Sequence, residues 1–208
     1  MVQKTSGEPE KARRGRPRAY DPGAALKAAR DMFWLKGYAA TSLDDIVGAT
    51  GMNRPSLYAA FGDKEAIYLA ALKMQGELLV AQVAAACALQ IKIKAFATLF
   101  FERCIDSYLQ GAAGARGCFL VGTALTESLT RGDVGDVVRD AFGRVDDLLE
   151  QRFRQARKAG EIDKGADPRA LAHVVSSTMH QMAIFARSGE SRAKLEARAA
   201  LAMKLLGL

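Results

Sequence analysis

Arginine side chains near the start of the chain are the first feature that indicates a chemistry. The first twenty residues contain six Lys or Arg and two Glu, so more than half of the net charge of +7 lies in a tenth of the 208-residue sequence. Arg14, Arg16 and Arg18 alternate with Gly and Pro, which keep the segment extended. Such arginines could enter a narrow A·T-rich minor groove, or only attract phosphates without sequence preference. We expect a disordered basic arm over residues 1–19 that contacts DNA.

A second group of candidate DNA-binding residues falls on two short predicted helices. Ser42 can cap the first, and Gly51 supplies the turn after it. Asn53 can cap the second, predicted over residues 54–61, and is counted with the DNA contacts. This is the spacing of a helix-turn-helix, whose second helix can place its N-terminal residues in a major groove about 12 Å wide. The sequence therefore predicts recognition of double-stranded DNA.

The first residues of these two helices carry side chains suited to DNA. Arg54, Pro55 and Ser56 lead the second helix and would face base edges. The Arg54 guanidinium could bind O6 and N7 of a guanine, or a phosphate instead. Thr41 and Ser42 begin the other helix, where hydroxyl and backbone N–H groups can meet a phosphate. The alternative for Ser42 is that it only caps the helix.

Cysteine and histidine are too few and too scattered for most catalytic or metal chemistry. Cys87, Cys104 and Cys118 are an odd number without a C-x-x-C pair, and the two histidines are His173 and His180. This pattern does not indicate a disulfide framework, a multi-ligand zinc site or a catalytic triad. No apolar run of about 18 residues predicts a membrane span, and no signal-peptide pattern is present. We expect a cytoplasmic protein that has no cofactor or metal and is not an enzyme.

The elements that position these residues are all predicted helices. Alanine and leucine recur while β-branched residues are sparse, which favours helices over strands. Asp21 and Pro22 can start the first helix, and its apolar residues recur at spacings of three and four. The fold class is therefore all-α, with about nine helices and no strand. We predict the helices over residues 22–36, 43–49, 54–61, 64–88, 91–110, 118–130, 134–159, 167–187 and 191–206.

The helix-turn-helix segment resembles the TetR family of transcriptional regulators. The resemblance implies an all-helical fold, a homodimer, and repression that a ligand relieves. The residues that carry it, in the family's order and spacing, are Phe33-x-x-x-Gly37-Tyr38, Thr41-Ser42-x-x-x-Ile46-Val47 and Gly51-x-x-x-x-Ser56-Leu57-Tyr58-x-x-Phe61-x-x-Lys64-Glu65.

The resemblance adds roles and domain limits to this segment. Tyr58 and Lys64 match family positions that contact the DNA backbone, although Tyr58 could instead be a half-buried aromatic residue of the small core. Tyr38 could touch a phosphate or only fasten the end of the first helix. The resemblance also implies a DNA-binding domain over residues 20–65 and a ligand-binding and dimerisation domain over residues 66–208.

In the second domain, the resemblance implies a two-fold interface and an inducer cavity. The last two helices would pack on the same helices of a second copy. For the interface residues and for the cavity residues given next, the alternative is that they belong to the internal core. The predicted interface residues are Val174, Val175, Thr178, Met182, Phe185, Leu201 and Leu205. The predicted cavity residues are Phe96, Phe100, Cys104, Tyr108, Cys118, Phe119, Thr123 and Met179.

The segment from Arg116 to Ala124 resembles a Gly-Cys-hydrophobic segment of one TetR subgroup, which includes regulators of copper and electrophile responses. Cys118 would lie near a helix N-terminus and beside Arg116, and both features lower the pKa of a thiol. A redox or electrophile sensor is one interpretation. The alternatives are a small packing residue or, with Cys104 or methionines, a ligand for a soft metal.

These observations predict a repressor that binds a palindromic operator as a homodimer and that a small molecule, or an electrophile, releases. Two recognition helices would then lie one DNA turn apart, about 34–36 Å. An architectural DNA-binding protein without ligand control, an activator and an enzyme are the alternatives. A core of helices after residue 65 would have no purpose in an architectural protein.

Overall fold

The computed structural model describes residues 21–111 and 116–208. Over these ranges the chain forms nine α-helices and no strand, which confirms the predicted all-α class. The predicted arm, with Arg14, Arg16 and Arg18, lies outside the described residues. The helices are α1 (Pro22–Lys36), α2 (Leu43–Thr50), α3 (Arg54–Phe61), α4 (Lys64–Cys87), α5 (Ile93–Leu109), α6 (Phe119–Thr126), α7 (Gly132–Lys158), α8 (Pro168–Arg187) and α9 (Arg192–Leu205).

Side-chain caps fix the limits of the first three helices. The Asp21 carboxylate accepts a hydrogen bond from the backbone N–H of Gly23, and Asn53 accepts one from Ser56 N–H at the start of α3. Gly51 ends α2 in the left-handed region, with φ 66° and ψ 9°, a conformation that costs glycine less than other residues. Phe33, Ile46 and Leu57, one from each helix, are fully buried in the small core that holds the three helices together.

The long helix α4 belongs to both halves of the protein. Its first turn, capped by Asp63, packs below α1 and α3, and its later turns pack along α7. α5, α7, α8 and α9 surround a second core that contains Phe100, Phe153 and Met179. The described helices include none that is long and apolar enough to cross a membrane.

The sixth helix is shorter than predicted and lies at the junction of the two halves. It ends at Thr126, and residues 127–130 form a turn in place of the predicted last helical turn. This turn connects α6 to α7. α6 packs against α4, α7 and α8, so a single short helix contacts elements of both cores.

Candidate DNA-binding surface and ligand cavity

The N-terminus of α3 presents most of the predicted base-reading residues to solvent. Asn53, Arg54 and Pro55 are exposed and Ser56 is half-buried. Leu57 follows them and points into the core, which holds α3 on the domain. Tyr58 is 45% exposed, so its ring is not closed into the core. This surface has the shape that major-groove recognition requires, namely a helix N-terminus that protrudes from a small packed domain.

The N-terminus of α2 forms a complete capping box. The Ser42 hydroxyl accepts a hydrogen bond from Asp45 N–H, and the Asp45 carboxylate accepts one from Ser42 N–H at 2.8 Å. Lys36 donates to the same carboxylate at 2.6 Å. This hydrogen bond, with those from Ser42, lowers the pKa of Asp45 to about 2. Ser42 therefore caps the helix as the alternative interpretation stated, and its exposed position leaves a phosphate contact as a prediction.

Thr41 does not have the position expected of a phosphate-binding side chain. It is buried, and its hydroxyl donates a hydrogen bond to the Gly37 carbonyl at 2.6 Å. The backbone N–H of Thr41 also donates within the chain, to the Tyr38 carbonyl. The prediction that this hydroxyl meets DNA is corrected, because both donors are already used to close the turn between α1 and α2.

Tyr38 and Lys64 lie together where α1 meets α4. The Tyr38 ring is 4.7 Å from the Tyr68 ring, and the Lys64 ammonium lies 4.4 Å from the Tyr38 centroid. Arg131, from the start of α7, stacks on Tyr38 from 4.2 Å and pairs with Glu65 at 2.5 Å. Tyr38 thus fastens the end of α1, and a phosphate contact by either residue stays a prediction.

Asp44 is a residue of this surface that sequence reasoning missed. Its Oδ1 accepts hydrogen bonds from Arg54 Nη2 at 2.6 Å and from Arg54 Nε at 3.2 Å. These hydrogen bonds raise the pKa of the Arg54 guanidinium. The two residues are ten positions apart on different helices, and only the crossing of α2 and α3 brings them together. The sequence signal was an acid in the first turn of α2, a position that the helix dipole alone explains.

A cavity of about 430 Å³ lies between α4, α5 and α8. This volume is in the range of small-molecule sites. Four of the predicted cavity residues line it, namely Phe100, Cys104, Tyr108 and Met179. The other lining residues divide by exposure. Leu79, Val83 and Ala86 are buried or half-buried, and the exposed ones are Gln82, Ala85, Arg103, Asp106, Ser107 and Gln110.

The remaining predicted cavity residues lie elsewhere, which corrects that part of the prediction. Phe96 is buried in the second core beside Phe100, without lining the cavity. Cys118 lines a separate groove between α6 and α8. Phe119 packs in the core shared by α1 and α4, and Thr123 shares a hydrogen bond with the Tyr68 hydroxyl at 3.1 Å. Phe119 and Thr123 lie on the side of α6 that faces the DNA-binding half. Residue spacing alone could not predict this direction.

The cysteine thiols have the opposite electrostatics to those expected of a sensor. Burial raises the pKa of Cys104 to about 12 and raises the pKa of Cys118 above its ordinary value. Arg116, which was expected to lower the pKa of Cys118, instead pairs with Asp31 at 3.1 Å and stacks on Trp34. Backbone N–H groups at the start of α6 do lower the pKa of Cys118, but by less than burial raises it. The sequence argument named the correct N-terminus and underestimated the desolvation.

The predicted dimer residues divide into two groups. On α9, Leu201 is 60% exposed and Leu205 is 73% exposed. On α8, Val174, Thr178 and Phe185 are half-buried. Val175 and Met182 are fully buried in the core of the protomer, which corrects their assignment to an interface. They lie beside the stripe formed by Val174, Thr178 and Phe185, on the part of α8 that packs into the protomer's core.

Alkylation of the cysteines measures these pKa values. Because the pKa values lie above the ordinary 9.0, the reactive thiolate is scarcer in the folded protein at pH 8. We expect Cys104 to react with iodoacetamide at least about tenfold more slowly than in urea-unfolded protein, and Cys118 to react more slowly as well. The labelling rate should rise with pH beyond pH 9. Mass spectrometry of each peptide gives the rates, and fast labelling of Cys118 at pH 7 would contradict the expected direction.

Comparison with known proteins gives the family. Residues 25–71 match the model for bacterial regulatory proteins of the tetR family, and residues 99–202 match the tetracyclin repressor-like C-terminal domain. The chain is 32% identical over 195 residues to the HTH-type transcriptional repressor ComR of Escherichia coli (strain K12), covering 94% of this chain and 93% of that one. It is 44% identical over 54 residues to the repressor BdcR of the same organism, covering 26% of this chain and 27% of BdcR.

Solved structures agree with this result. The TetR family regulator CifR, as a cysteine mutant complexed with 26-bp operator DNA, superposes with a TM-score of 0.82 at 26% identity, covering 92% of this chain and 100% of that chain. The reduced form of E. coli NemR shares the fold, with a TM-score of 0.76 at 16% identity, covering 87% and 94% of the two chains. The chain therefore belongs to the TetR family, and it is a DNA-binding transcriptional repressor rather than an enzyme.

Proposed function

We propose that this repressor binds a near-palindromic operator as a homodimer and leaves it when a small molecule enters the cavity between α4, α5 and α8. The observation that carries the proposal is the exposed N-terminus of α3, on which Asn53, Arg54 and Pro55 protrude from a well-capped helix-turn-helix. CifR, which has the same fold, is complexed with operator DNA in its solved structure. Two copies with recognition helices about 34–36 Å apart would fit successive major grooves.

The basic arm adds a second contact with DNA. Arg14, Arg16 and Arg18 would follow the backbone into the adjacent minor groove, where an A·T-rich sequence attracts arginine. This part of the proposal rests on the sequence of residues 1–19 alone.

Residues at the end of the second half support a two-fold interface. Leu201 and Leu205 expose apolar surface on α9, and Ala197 and Ala200 are exposed beside them. Small residues of this kind let a partner helix approach closely. On α8, Val174, Thr178 and Phe185 complete the proposed face, which excludes the buried Val175 and Met182.

A chain of backbone contacts supports communication between the cavity and the DNA-binding half. Tyr108 lines the cavity, and its carbonyl accepts a hydrogen bond from Gly117 N–H at 3.1 Å. The preceding carbonyl, of Arg116, accepts the indole N–H of Trp34 on α1 at 2.9 Å. A ligand that moved the end of α5 would therefore displace α1. It could shift the equilibrium only by its difference in affinity for the two arrangements.

Selective retention of DNA tests the proposed operator. Purified protein is incubated with fragmented genomic DNA at low and at near-physiological salt, and the retained fragments are sequenced. We expect a few near-palindromic sites that survive the higher salt, and a chain lacking residues 1–19 should bind the same sites more weakly. Uniform retention that disappears with salt would contradict sequence-specific binding, because phosphate attraction alone behaves in that way.

Charge on the α9 face tests the dimer. The double variant Leu201→Glu, Leu205→Glu places four carboxylates in a two-fold interface, so we expect a monomer that has lost about a hundredfold or more in operator affinity. Leu129→Glu is the matched control, since Leu129 is 97% exposed in the turn after α6, away from α9. Sedimentation and DNA-binding titration give the two readouts. If the double variant is still a dimer, α9 does not form the dimer interface.

A blocked cavity mouth tests the ligand site. Ser107 is exposed at the mouth, so Ser107→Trp should preserve folding and operator affinity while it closes the cavity. Small neutral compounds that release the operator from the natural protein should act at least about tenfold more weakly on this variant. Thr98→Trp, at an exposed hydroxyl residue of the same helix outside the cavity, is the control. Compounds that act equally on both variants bind somewhere else.

A further inference from the structure

The Asp44–Arg54 pair joins the two helices of the helix-turn-helix at the surface that faces DNA. Arg54 is the first residue of α3 and Asp44 lies in the first turn of α2. One carboxylate oxygen accepts both the Nε and an Nη2 proton of Arg54, at 3.2 and 2.6 Å. The Arg54 side chain is 56% exposed and the Asp44 side chain is 73% exposed, so the pair contributes little to folding stability. Its effect is on where the guanidinium points.

The pair leaves one edge of Arg54 available. A guanidinium has five N–H donors in a planar fork, and Asp44 uses the side edge made of Nε and Nη2. Within residues 21–111 and 116–208, Nη1 makes no hydrogen bond. The free end of the fork, with Nη1 and the second Nη2 proton, is a pair of donors that matches O6 and N7 of guanine. An exposed arginine without this partner would sample many rotamers.

The charge of the pair also affects whether Arg54 contacts a base or a phosphate. With a carboxylate already bound, the guanidinium keeps its charge and its directional donors, but the net charge of the Asp44–Arg54 pair is close to zero. Attraction to a phosphate depends on that charge, whereas a bidentate pair with neutral guanine acceptors depends on donor geometry. Asp44 itself also repels phosphates. Both effects favour base contact by Arg54 over the phosphate contact that the sequence left as an alternative.

We propose that Asp44 is a specificity-determining positioning residue, which holds Arg54 for end-on contact with one guanine in each half-site and keeps it from the DNA backbone. The inference rests on the proposed operator function. It predicts that removing the Asp44 charge lowers discrimination between bases and strengthens binding to unrelated DNA.

Selection from a randomised DNA pool tests this inference on the full-length dimer. The proteins are the natural chain, Asp44→Asn, Arg54→Ala and the double variant, each read out by sequencing and by titration over a range of salt. Glu102→Gln is the control for net charge, since Glu102 is an exposed acid on α5, outside the helix-turn-helix. Thermal unfolding checks that Asp44→Asn is folded.

For Asp44→Asn we expect the preference for one guanine per half-site to fall about tenfold. Binding to unrelated DNA should tighten, and the slope of log K against log salt should steepen by about 0.9 for each arginine that is freed to reach a phosphate. In the Arg54→Ala background, Asp44→Asn should leave the base profile unchanged. Glu102→Gln should keep the natural profile.

Three results would overturn the inference. The first is an unchanged base profile in Asp44→Asn when Arg54→Ala abolishes the guanine preference. The second is an equal loss of affinity for operator and unrelated DNA, which is what damage to α2 alone would produce. The third is that the natural chain itself selects no site; this outcome refutes the proposed operator function, and is distinguished from the other two by the natural chain alone.

Discussion

The hydrogen bond from the Trp34 indole to the Arg116 carbonyl is the contact on which the arrangement of the two halves depends. It ties α1 to the segment that leads into α6, and Arg187 on α8 donates to the Trp34 and Arg116 carbonyls at 3.0 and 3.1 Å. Gly117 makes this junction tight, because a Cβ there would lie 2.4 Å from the Ala183 carbonyl oxygen. Its positive φ of 65° also favours glycine. The DNA-binding half is therefore tied at this junction by side-chain donors on α1 and α8 that bind backbone carbonyls.

Local chemistry explains why most of the fold was predictable. Asp21, Ser42 and Asn53 each accept the backbone hydrogen bond that their type and position predict, and Gly51 has the expected left-handed conformation. These signals involve residues within three or four positions of one another, so they can be seen in the sequence. The end of α6 was less predictable: residues 127–130 form a turn where the sequence predicted a further helical turn.

The parts of the site that were mispredicted depend on which side of a helix faces a distant element. Thr41 has a hydroxyl at the correct place in the chain, yet the Gly37 carbonyl uses it. Val175 and Met182 have the small or flexible side chains of an interface, but the protomer's own core buries them. Asp44 gained its partner only when α2 and α3 crossed. In each case residue type was informative, and direction required the tertiary structure.

Two kinds of electrostatic environment separate the tasks of the protein. At the DNA surface the ionisable groups are exposed and paired, as in Asp44 with Arg54, so that water screens each pair and the pairing adds little to folding stability. At the cavity, burial raises the pKa of Cys104 and of Tyr108, so both stay neutral at physiological pH. A ligand there would meet neutral donors and apolar walls; among the described residues that line the cavity, the charged side chains are Arg103 and Asp106, both exposed at the mouth. Since a charged ligand would lose hydration on entering without gaining a buried counter-charge, we expect an inducer that binds in this cavity to be uncharged.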